Sequence, residues 1–178
     1  MRSTDARLRS MLGRRKRSGQ ESASPAEMYR DLRSMAFEAA VSGVIPVHRD
    51  HPEVFGLVAD IPAQGGYATI VALGDNSTSM YTSTGGGTIG AGERPAVAAS
   101  TQQLLAVVQA HLDAFASADD GTLPEQGWVR LHVLTDQMPR RADVSEDAFW
   151  GKASDPLVPV IAAVQDVMSR MREITASS

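Results

Sequence analysis

The sequence predicts an α+β fold: a single antiparallel sheet of about five strands with three helices, in the order α-β-β-β-α-β-β-α. Three observations carry this. Apolar residues recur at helical spacing in three separate stretches of the chain. Between them lie segments of alternating or continuous apolar character, rich in Val, Ile and Thr. Most strand connections are short and rich in Gly, Asn and Asp, which makes hairpins. Antiparallel pairing follows, so the helices must lie over the sheet faces rather than cross between parallel strands.

The first helix starts at Ser24-Pro25-Ala26-Glu27, where Ser24 caps, Pro25 suits the first position and Glu27 completes a capping box. Met28, Leu32, Met35 and Ala39 then define its apolar face, and Gly43 and Pro46 end it. Segment 54–61 follows as a strand with Phe55, Leu57, Ala59 and Ile61 on one face. Residues 62–66 turn the chain into 67–73, a strand apolar on both faces and hence central. Gly74-Asp-Asn-Ser77 is turn chemistry. Segment 78–84 is a polar, Thr-rich strand, near an edge or wet on one side. The second helix runs from Pro95 to near Ser117, with Val97, Thr101, Leu104, Leu105, Val108, Leu112 and Phe115 in its stripe. Segment 128–134 is a strand with Val129, Leu131 and Val133 on one face and Arg130 and His132 pointing outward. Segment 140–144 is its short partner, and 145–150 suits one helical turn. The third helix begins at Ser154-Asp155-Pro156. Its wide apolar face, from Leu157 through Val160, Val164 and Met168 to Ile174, suits burial across the sheet or the seam of a homodimer.

At 178 residues the chain holds one globular domain, 24–178, behind a basic tail, 1–23, that reads as disordered. Charge is unevenly placed. Residues 1–20 carry seven Lys/Arg against Asp5, a net +6; the whole chain is −4, which leaves −10 for residues 21–178. An acidic body repels nucleic acid and membranes and suits basic partners; nucleic-acid contact falls to the tail 1–20 alone. There is no cysteine, which excludes disulfides, thiolate catalysis and Cys-based zinc sites. Neither a secretory signal nor an apolar run long enough to span a bilayer is visible, which fits a cytoplasmic location. Arg outnumbers Lys 15 to 2 and Ala is abundant, a coding bias of the bacterial kind.

The candidate ligand loop is glycine-rich: Gly85, Gly86, Gly87, Thr88, Gly90, Gly92 and Arg94, between a strand and a helix. Glycine lets backbone N–H groups approach a phosphate closely, and a helix N-terminus favours anions. The stretch fits G-x-G-x-x-G, but a dinucleotide site wants an acidic residue about 20 positions on at a strand end, and here those positions fall inside the second helix. It also looks like the GGGTGSG-type phosphate loop of tubulin-like GTPases, with Ile89 intruding. The alternative is a structural bulge joining sheet to helix, which the sequence favours. His48, Asp50 and His51 share one loop, a weak metal pattern, and no metal site or cofactor is assigned. His111 flanks the second helix. No catalytic set is recognisable: G-x-S-x-G is absent, and Asp119-Asp120 and Glu146-Asp147 read as solvated. Trp128 and Trp150, each beside a glycine, suit core capping or the anchoring of a partner.

The element order over residues 25–175 resembles the small acidic chaperones of type III secretion systems and the YbjN-like proteins that share their fold. That resemblance implies a non-enzymatic, dimeric protein that holds segments of partner proteins. The expectation is therefore an interaction module of adaptor, chaperone or immunity type with a protein partner. The alternative is a small-ligand or nucleotide-binding domain built on the glycine loop.

Overall fold

A computed structural model describes residues 23–118 and 121–176. The basic tail, but for Ala23, and Asp119-Asp120 therefore lie outside the described residues. The fold is α+β around one antiparallel sheet, as the sequence predicts, but richer than predicted, with seven strands and four helices among the described residues. Helix α1 (Pro25–Val41) is followed by β1 (Val54–Ala63), β2 (Gly66–Leu73), β3 (Thr78–Thr82) and β4 (Gly87–Thr88). Helix α2 (Pro95–Ala110), β5 (Ala116–Ser117), β6 (Trp128–Thr135), β7 (Arg140–Ser145), α3 (Glu146–Phe149) and α4 (Val158–Ala176) complete the chain. The strands lie in the order β4-β3-β2-β1-β6-β7-β5.

The additional elements have local causes. The second helix stops at Ala110 rather than near Ser117: His111 leaves helical geometry, Leu112–Ala114 forms a 3-10 turn, and Ala116 and Ser117 pair with Arg141 and Arg140 as an edge strand. The third predicted strand ends at Thr82, because Thr82 N–H bonds to the Gly86 carbonyl and reverses the chain into β4. Ser145 caps the single turn α3 through the Ala148 N–H.

Helices α2 and α4 cover one sheet face. Val54, Leu57, Ala59, Ile70, Leu131 and Val133 meet Leu104, Leu105, Val108, Val160, Val164 and Met171 there. The wide face of α4 is thus consumed within its own core. Helix α1 covers the other face, where Val58, Val71, Leu73, Tyr81 and Leu134 form a smaller cluster with Tyr29, Ala36 and Ile45.

Three assignments of facing are corrected. In β1 a register shift between Val54 and Gly56 puts Val54 with Leu57, Ala59 and Ile61, and sends Phe55 to the α1 side. In α1 the predicted face is turned only partly inward: Leu32 and Ala39 pack against the smaller cluster, but Met28 is 53% and Met35 62% exposed, while Tyr29 and Ala36 are buried and Arg33 faces the sheet. Arg130 and His132 do not point to water, because α1 and the connection 121–125 lie over them. Within 67–73, Thr69 to Leu73 are buried as an interior strand requires while Tyr67 and Ala68 are half-buried, and β1 rather than β2 is the middle strand. Among the described residues, no helix is long and apolar enough to cross a membrane.

Candidate functional site

Strand register builds a polar row beneath α1. Asp143 lies opposite Arg130, Arg130 opposite Asp60, Asp60 opposite Thr69 and Thr69 opposite Tyr81. Asp60, Thr69 and His132 have no exposed surface. A buried carboxylate needs partners, and Asp60 has several. Arg33 Nη2 lies 2.6 Å from its Oδ2, Arg33 Nε reaches both oxygens at 3.1 and 3.2 Å, and Thr69 Oγ1 donates to Oδ1 at 2.7 Å. His132 Nε2 sits 3.4 Å from Asp60 Oδ2 and 3.2 Å from Arg33 Nη2. Burial by itself would raise the Asp60 pKa; the contacts from His132, Arg33 and Thr69 outweigh it and hold the carboxyl below its ordinary value.

The row continues outward in both directions. Because Thr69 spends its proton on Asp60, the Tyr29 hydroxyl is the donor in its 2.7 Å contact with Thr69 Oγ1. Burial pushes the Tyr29 phenol up to about 12. The Tyr81 ring packs edge-on against Tyr29 with centroids 5.7 Å apart, and its buried hydroxyl has no hydrogen-bond partner among the described residues. At the other end Arg130 grips Asp143 in a two-pronged pair at 2.7 and 2.8 Å, which lowers the Asp143 pKa. The connection between β5 and β6 supplies carbonyls to both guanidiniums: Gly121 to Arg33, and Thr122 and Leu123 to Arg130. Tyr67 OH donates to the Pro124 carbonyl at 2.7 Å. Every oxygen of Asp60 is therefore engaged and none faces solvent. The network clamps α1 and the 121–125 connection onto the sheet. Its outer end opens into a recess of about 340 Å³ lined by Glu125, Trp128, Arg130 and Asp143.

A second, apolar cleft of about 330 Å³ lies between the first turns of α1 and the hairpin that joins β3 to β4. Met28, Tyr29 and Leu32 form one wall, Gly85 to Gly87 and Ile89 the other, with Tyr81 also lining it. Met28 and Ile89 stand 53% and 66% exposed at its rim. Glycine is required here by geometry. Gly85 and Gly86 take φ of +102° and +88° in the reversal, and a side chain on Gly87 would overlap the Met80 carbonyl and Tyr81.

The glycine loop of the sequence is thus divided. Gly85, Gly86 and Gly87 face the apolar cleft, and Thr88 pairs with Met80. Gly90 and Gly92 lie in a separate recess beside Asp75 and Glu93, whose carboxylates oppose an anion. Gly92 packs so closely on the Asn76 carbonyl that a side chain would overlap it. Arg94, the exposed N-cap residue of α2, lines neither recess.

His48 and His51 stack 4.7 Å apart, but buried His51 is spent on the Val54 carbonyl and on Gln102. Among the described residues no group of three His, Cys, Asp or Glu side chains is arranged to hold a metal. His111 Nδ1 contacts the Val107 carbonyl at the end of α2. Trp128 and Trp150 are each 45% exposed. The polar row went unread in the sequence, although a signal exists: Asp60 is the one charged residue in the apolar run of β1, and such a residue demands a cation from elsewhere. No protein-family model, curated protein or solved structure matches the chain.

Proposed function

We propose that this protein is an interaction module that holds an apolar, cation-flanked segment of a partner protein in the cleft between α1 and the β3–β4 hairpin. The observation that carries the reading is the cleft itself: apolar walls, with Met28 and Ile89 left in water at its rim. Large apolar side chains exposed around a concave surface favour binding of another apolar surface. Residues 21–178 carry a net −10, so cations flanking the bound segment add attraction. The buried ionisable groups nearby are committed to one another, which suits a scaffold holding α1 in place. The chaperone-like element order is consistent with this use.

Selection of peptides by display on the full chain tests the reading. Enriched sequences are expected to carry spaced apolar residues among Lys and Arg, with binding weakened at least about tenfold by Ile89→Asp, since one buried aliphatic contributes about 1.5–3 kcal/mol. Binding that is indifferent to Ile89→Asp and Met28→Asp overturns it. The volume of the cleft also suits a small apolar ligand, with the glycine hairpin as one wall. A thermal-shift screen decides that second reading: a ligand at 100 times its dissociation constant adds about 2.7 kcal/mol of stability, and a flat response to nucleotides, phosphorylated metabolites and lipophilic acids removes it.

A further inference from the structure

We propose that the chain's own N-terminal segment competes for this cleft: residues 1–20, through Leu8, Met11 and Leu12, occupy it until a partner segment displaces them. The inference rests on the reading of the cleft as a protein-binding surface and adds its regulation.

Four observations support it. Ala23 lines the cleft, so the segment is tethered at the rim of the site. Tethering makes the encounter intramolecular, at an effective concentration in the millimolar range for a short linker. Ten residues lie between Leu12 and Ala23, a reach of about 35 Å when extended, enough to fold back over a site beside the attachment point. Leu8, Met11 and Leu12 stand at i, i+3 and i+4, the spacing that presents one apolar face. They are set among Arg7, Arg9, Arg14, Arg15, Lys16 and Arg17, so the segment has the composition assigned above to the partner. Its net +6 also faces a body of net −10, with Glu27 and Asp31 exposed on α1, one wall of the cleft.

The absence of native cysteine gives a clean test on the full chain. Met11→Cys is combined with Ile89→Cys at the cleft rim or, as the control, with Val158→Cys. Val158 is exposed on α4, over the opposite face of the sheet. Disulfide formation within one molecule is expected to be at least about tenfold faster for the first pair. In parallel, the triple change Leu8→Ser, Met11→Ser, Leu12→Ser is expected to raise binding of the dye anilinonaphthalene sulfonate, and adding Ile89→Asp to abolish the gain. Equal crosslinking rates with unchanged dye binding overturn the proposal. So does a crosslink that forms only between molecules, which makes a second copy the occupant. In either case, Ile89-dependent binding of displayed peptides leaves the cleft reading intact. Loss of that binding as well brings down both.

Discussion

Asp60 lies in the middle of an apolar strand, and its carboxylate is bound on every side by Arg33, Thr69 and His132. Removing it leaves buried cationic and polar groups without their acceptor. Asp60→Ala is therefore expected to lower stability by about 3–5 kcal/mol in urea unfolding at neutral pH, with Asp60→Asn less severe. Because the folded-state pKa is depressed, the stabilisation from Asp60 is complete above the unfolded-chain value of about 3.9 and is lost as the pH falls below it. Unfolding followed from pH 6 to pH 3 should show a steeper acid loss in the wild type than in Asp60→Ala; parallel curves would contradict this assignment. The two tyrosines of the site give a complementary contrast. The Tyr29 hydroxyl donates to Thr69, whereas the Tyr81 hydroxyl is unpartnered among the described residues. Tyr29→Phe is expected to cost about 1 kcal/mol, and Tyr81→Phe to be neutral or stabilising. The reverse order in chemical denaturation would refute the hydroxyl relay.

At the scale of elements, the caps, strand centres and hairpins were legible because they follow from local chemistry. Ser24 and Glu27 form the capping box that their spacing foretells. What α1 buries was legible only in part. Of its apolar stripe, Leu32 and Ala39 pack against the smaller core but Met28 and Met35 stay in water, while Tyr29, Arg33 and Ala36 face the sheet. The sheet beneath α1 presents Asp60, Thr69 and His132, so hydrogen-bonding side chains win the inward positions, and that demand comes from strands distant in sequence. The glycine stretch was likewise visible as special without showing why. Gly92 needs its missing side chain for close approach to Asn76, while Gly86 needs only its positive φ, with open space around it. Gly92→Ala should thus cost more than the strain of about 1 kcal/mol expected for Gly86→Ala, a difference that calorimetric Tm values resolve.

Over the whole molecule, the sheet carries two cores of unequal character. The α2–α4 side is large and almost wholly apolar, whereas the α1 side is small and tied by ions. Alternation within strands revealed the first, because apolar residues name their own face. The second stayed hidden, because one charged residue on a strand does not say which helix will answer it. This asymmetry orders the opening of the molecule. In native-state hydrogen exchange, α1 amides are expected to lose protection before those of α2 and α4, and to do so earlier still once acid protonates Asp60, whose contacts hold its carboxyl below the ordinary value. Uniform protection across the three helices would contradict it. The sheet also tapers: both outermost strands, β4 and β5, are two residues long. A neighbouring molecule could zip only a pair of peptide groups onto either margin, so concentrated solutions of this protein, heated short of melting, should stay clear and fail to seed thioflavin-positive fibrils.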